Sequence, residues 1–193
     1  MKKIILAVAT AAMLTGCSAL NKGYNKMMGV DYEDPNRSLA LIHIQVANGH
    51  HTDATTFTGH SNGKDVFMFS SKSAPTRPGC TLLLSVFEPD RYSISHINDI
   101  TASEKTVFQF TPGDPENLTF DAEAGQVQYL GGYFVGFSGG GEFDFQATDA
   151  CGGEATALGE FKALVETNNL TFGPLLRDTI WPGRVQARLG EIR

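Results

Sequence analysis

Between Leu39 and Gln146 the sequence is cut into short apolar or alternating runs by turn-forming residues, and that punctuation constrains the fold more than any other feature. Leu39–Val46 reads as a strand closed by Asn48-Gly49. Thr55–Thr58 and Asp65–Ser70 flank Ser61-Asn62-Gly63-Lys64, where Asn-Gly favours a tight hairpin because both residues tolerate positive φ. Thr81–Phe87 and Tyr92–Ile97 flank Glu88-Pro89-Asp90-Arg91, whose proline suits the first central position of a turn. Lys105–Phe110 and Leu118–Ala122 are separated by Pro112-Gly113-Asp114-Pro115. Gln126–Phe137 alternates best, which predicts Val127, Tyr129, Tyr133, Val135 and Phe137 on one face, with a bend or bulge at Gly131-Gly132. Phe143 and Phe145 alternate with Glu142, Asp144 and Gln146. Nine or ten short strands at this spacing predict a mainly β chain folded as an antiparallel two-sheet β-sandwich.

One helix is expected in this domain, over about 153–168. Leu158, Phe161, Leu164 and Val165 form an apolar stripe opposed by Glu160, Lys162 and Glu166, and Asn168-Asn169 is a plausible stop. The tail is broken again at Gly173-Pro174 and Trp181-Pro182-Gly183, so Leu175, Leu176, Ile180 and Trp181 are expected to fold back over an open end of the domain.

The N-terminus has a different character. Lys2 and Lys3 precede the apolar run Ile4–Leu14, and Thr15-Gly16-Cys17 follows with small residues at the cut. This is the layout of a secretory signal peptide over 1–16, too short for the roughly twenty apolar residues of a membrane-spanning helix. Leu14-Thr15-Gly16-Cys17 resembles the lipobox of bacterial lipoproteins. The resemblance implies cleavage before Cys17 and lipidation of its thiol, with the membrane as a partner through that lipid. Ser18, in place of the Asp that retains such proteins at the inner membrane, implies the outer membrane facing the periplasm. Residues 17–38 are then a polar tether, and 39–193 a single domain.

Removing the signal leaves 177 residues, enough for one hydrophobic core, and moves the formal charge from −6 to −8 because Lys2 and Lys3 leave with it. An acidic chain argues against nucleic acid as a partner and against a polybasic contact with anionic lipid. With Cys17 lipidated, Cys80 and Cys151 remain. They are either a disulfide suited to an oxidising compartment, two buried thiols, or a reactive Cys151 near a helix start.

Two candidate sites stand out, each with a plainer reading. His43, His50, His51 and His60, with Asp53, offer imidazoles and a carboxylate suited to Zn²⁺ or Cu²⁺, but they match no ligand spacing, and solvated loop histidines are the favoured reading. Gly136-Phe137-Ser138-Gly139-Gly140 matches the G-x-S-x-G nucleophile elbow and resembles the Gly-x-Ser-Gly-Gly of chymotrypsin-like proteases. A strand-like segment follows where the elbow needs a helix, no His lies beyond His96, and Phe137 stands where the proteases have Asp. A glycine-rich hairpin loop accounts for the stretch as well. No further cofactor is implied.

Glu88-Pro89-Asp90-Arg91-Tyr92-Ser93-Ile94 and Ala124-Gly125-Gln126-Val127-Gln128-Tyr129-Leu130-Gly131 are similar to turn-and-strand motifs of a loose class of bacterial lipoproteins with β-sandwich domains. That class implies an immunoglobulin- or transthyretin-like layout and no activity or site residues. The chain therefore reads as a lipid-anchored, non-enzymatic envelope lipoprotein presenting an interaction or structural module to an envelope protein partner. The alternatives are a metal-binding module and, behind it, a serine hydrolase using Ser138.

Overall fold

The computed structural model describes residues 31–47, 51–70, 79–100, 105–111, 114, 117–137, 143–166 and 176–192. Its centre is set by two nearly continuous apolar runs, SLALIHIQV in β1 (Ser38–Val46) and CTLLLSVF in β4 (Cys80–Phe87). Side chains on a strand alternate between faces, so runs of this kind are satisfied only where both faces are covered. The two strands pair antiparallel from Ser38↔Phe87 to Gln45↔Cys80. On one face Leu39, Leu41, Leu82, Leu84 and Val86 meet a helical layer. On the other, Ala40, Ile42, Ile44, Val46, Leu83 and Phe87 line a second core.

Around this pair run β2 (His51–Gly59), β3 (Asp65–Ser70), β5 (Asp90–Ile100), β6 (Lys105–Gln109), β7 (Thr119–Ala122), β8 (Val127–Phe137) and β9 (Phe143–Ala147). All nine belong to one sheet of order β6-β5-β2-β3-β4-β1-β8-β9, with β7 paired to β5 beside β6. The two ends of that path meet through rings. Phe110, just beyond β6, lies 5.3 Å from Phe143 and 4.9 Å from Phe145, and Phe108 lies 5.6 Å from Phe143. The sheet is thus rolled almost shut into a barrel-like shape, its seam filled by aromatic contacts. Deeper inside, Phe57, Phe87, Tyr92 and Phe120 pack edge-to-face or stacked at 4.9–6.0 Å.

The mainly β expectation matches this architecture, and four finer expectations change. The strands follow one continuous path, and they are not all antiparallel, because β1 and β8 pair parallel. The turn before β8 explains that pair. Gly125 N–H donates to Arg37 O and Leu39 N–H to Gln126 O, so β8 leaves from the end of the sheet where β1 begins. Second, the bulge expected at Gly131-Gly132 is present, and it breaks the single-face alternation expected of β8. Leu41 pairs with Tyr129, but His43 pairs with Gly132, so β8 spends one extra residue against β1. Such a bulge exchanges the faces beyond it. Val127 and Tyr129 accordingly pack on the helix side, whereas Leu130, Tyr133 and Val135 pack inside. Glycine is required here: a Cβ on Gly132 would lie 2.6 Å from Thr148 O.

Third, there are two helices among the described residues rather than one. α1 (Glu154–Glu166) buries Ala157, Leu158, Phe161, Leu164 and Val165, on the stripe expected for it. α2 (Trp181–Glu191) replaces the expected tail and buries Trp181, Val185 and Leu189, four residues apart. Pro182 sits in its first turn, where a missing N–H costs nothing, so the proline begins a helix rather than breaking one. Leu176 and Trp181 consequently cover the outer face of the sheet, not an open end. Fourth, the packed domain begins before Leu39. Tyr32 is buried, its carbonyl accepts a 2.8 Å bond from Trp181 Nε1, and Arg37 pairs with Glu88 at 3.0 Å. The expected tether over 17–38 therefore includes at least residues 32–38 that belong to the domain.

Candidate functional site

His43 sits on the helix-facing side of β1, two residues beyond Leu41, beside the apolar cluster that meets the helices. It is fully buried. A buried imidazole needs partners for both nitrogens. Nδ1 lies 3.1 Å from Tyr129 Oη and Nε2 lies 3.1 Å from Glu160 Oε2, reaching from α1. Tyr129 Oη donates in turn to Gly152 O at 3.2 Å. An ionised carboxylate can only accept, so Nε2–H donates to Glu160. The cluster is a buried histidine–glutamate hydrogen bond extended by a neutral phenol. Burial, then the Glu160 charge, pushes the Tyr129 hydroxyl up to about 12 and holds it protonated.

The same corner carries the disulfide. Cys80, opening β4, is bonded to Cys151, three residues before α1, with Cα atoms 5.6 Å apart at a sequence separation of 71. Both cysteines are buried. The bond and the His43–Glu160 pair fasten α1 to the sheet at two points. Chemically the cluster is a clamp: His43, fully buried, lies between sheet and helix.

His43 and His60, the two histidines of the expected metal set whose side chains are described, lie apart. His60 is exposed at the turn after β2, with Nε2 2.6 Å from Ser93 Oγ, and β3 and β4 lie between its strand and that of His43. His50 falls outside the described residues, and only the backbone of His51 and Asp53 is described, within β2. Among the described residues no group of three metal-binding side chains occurs. Ser138 also falls outside the described residues.

Around His60, the carboxylate of Asp90 accepts from Ser61 Oγ at 2.7 Å and from the backbone N–H groups of Ser61 and Arg91. The Ser61 hydroxyl is the main reason Asp90 titrates below the usual carboxylate range. These bonds tie the β2–β3 turn to the start of β5, and they occupy the oxygens that a serine–histidine pair would need as its third member. His43 could be singled out from the sequence but its partner could not, because Glu160 lies 117 residues away.

No protein-family model matches the chain, and no curated protein matches it. Solved structures that resemble part of it include two from Bacteroides species. One is a "putative cell adhesion protein" from Bacteroides fragilis, with 12% identity and a TM-score of 0.40, covering 58% of this chain and 45% of that one. The other is a leucine-rich repeat protein from Bacteroides thetaiotaomicron, with 5% identity and a TM-score of 0.36, covering 52% of this chain and 14% of that one. The chain thus spans less than half the length of either.

Proposed function

We propose that the protein is a non-enzymatic, lipid-anchored lipoprotein of the cell envelope that presents its β domain as an interaction or structural module. The observation that carries this reading is Leu14-Thr15-Gly16-Cys17, placed behind Lys2-Lys3 and the apolar run Ile4–Leu14. In it Cys17 carries the lipid, Ser18 directs the protein to the outer membrane, and an envelope protein is the partner. Among the described residues no helix is long and apolar enough to cross a membrane, so a lipid would supply the anchor. Asp31 stands fourteen positions after Cys17. An extended chain of that length reaches at most about 50 Å, which would keep the domain close to the bilayer. In this reading the two halves of the rolled sheet act as the facing walls of a sandwich-like, disulfide-fastened module.

Mass spectrometry of the mature protein from bacterial envelopes tests the anchor. The expected N-terminus is a diacylglyceryl-modified Cys17, and Cys17→Ser should release the protein from the membrane fraction. An unmodified Cys17 in a membrane-free protein would reject the reading. Cross-linking in intact envelopes tests the module, and a reproducible protein partner is the expected result.

A further inference from the structure

We propose that the groove between α2 and the β7–β8 turn is an oxyanion site, taking the phosphate of a phospholipid headgroup or of free phosphate on Arg184. The groove has a volume of about 510 Å³ and is walled by Ala124–Val127 on one side and by Arg184, Ala187, Arg188 and Glu191 of α2 on the other. That size is ordinary for a small-ligand site.

Arg184 is set in place before any ligand arrives. Its guanidinium lies 5.3 Å from the ring centroid of Trp181. Its Nη1 donates to Gly125 O and, at 3.3 Å, to Pro35 O. Gly125 permits this approach, since a Cβ there would come within 2.7 Å of Nη1, and its φ of +77° suits glycine. Both bonds use Nη1, and neither Nε nor Nη2 meets an acceptor among the described residues. That remaining edge is the fork with which arginine grips a phosphate or carboxylate through two parallel bonds.

The other charges of the groove are already engaged. Arg188 donates from Nε and Nη2 to Glu154 and from Nη1 to Glu191 at 3.0 Å. Arg188 is thus matched by the carboxylates of Glu154 and Glu191, which leaves Arg184 as the guanidinium of the groove with an open edge. Position favours phosphate over carboxylate. Arg184 touches Pro35, on the side of the domain from which the chain leads back toward Cys17, so a lipid-anchored protein would hold this groove near headgroups. The site itself stands without the anchor, and the mass-spectrometric result on Cys17 is independent of it.

Trp181 is the only tryptophan of the chain, so its emission reports on the cation stacked against it. The full-length protein in an uncharged detergent would be titrated with inorganic phosphate, dihexanoyl-phosphatidylglycerol and acetate, following Trp181 emission and the Arg184 Nε–H resonance. A saturable response to phosphate or the short-chain lipid, weakened at least about tenfold in Arg184→Gln, is expected. A much tighter response to the lipid identifies the headgroup as the source, and an equal one identifies free phosphate. Should Arg184→Gln unfold, Arg184→Lys keeps the charge and removes the fork, and should weaken the response likewise. No saturable response up to about 10 mM, an unchanged response in the folded variants, or acetate binding tighter than phosphate would overturn the proposal.

Discussion

At Gly125 and Gly159 the same substitution should act in opposite directions. Gly125 has positive φ and no room for a Cβ beside Arg184, so Gly125→Ala should destabilise by about 1–3 kcal/mol. Gly159 lies within α1 with nothing near its missing Cβ, so Gly159→Ala should stabilise by about 0.5–1 kcal/mol. Urea unfolding of both variants measures the pair, and equal effects would contradict the geometry. His43 and Glu160 offer a second test at this scale. Glu160→Leu leaves a fully buried imidazole without its carboxylate and should cost about 3 kcal/mol. Adding His43→Leu should recover part of that loss, because the stranded group is then gone. Strict additivity of the two single effects would mean the pair is not coupled.

For α1, attachment to the sheet matters more than its own propensity, since a helix of 13 residues is marginal alone in water. Its hold comes from the buried stripe, the His43–Glu160 pair and the Cys80–Cys151 bond. Replacing both cysteines by alanine opens a long loop in the unfolded chain and should cost about 2–4 kcal/mol. Hydrogen exchange should then show α1 losing protection before β1 and β4, which are buried on both faces. Uniform loss across helix and strands would argue that the disulfide stabilises the domain only globally. The apolar stripe of α1 was legible in the sequence, whereas α2 was not. Its buried residues are only Trp181, Val185 and Leu189, and Pro182-Gly183 reads as a break until the proline is placed in a first turn.

Across the whole molecule, tyrosines dominate the response to alkali. Burial pushes Tyr92 and Tyr129 up to about 12 and raises Tyr32 and Tyr133 as well. A group whose folded value is raised contributes stability that is complete below its unfolded value, near 10, and is lost as pH rises through the folded value. Unfolding free energy should therefore hold up to about pH 10 and fall steeply toward pH 12, together with late-titrating tyrosinate absorbance at 295 nm. A flat profile across that range would show these hydroxyls to be solvated.

What the sequence determined by itself is the local code: strand runs, their turns and the α1 stripe. Those features rest on periodicity and turn chemistry, which act over a few residues. Tertiary structure decided what periodicity cannot carry. A one-residue bulge in β8 reversed the face of every later side chain, and the return of the chain to Arg37 made β1 and β8 parallel neighbours. His43 found Glu160, Cys80 found Cys151, and Arg184 found Gly125 across 117, 71 and 59 residues. Contacts at such separations leave no period in a sequence, because only the folded sheet brings the partners within reach.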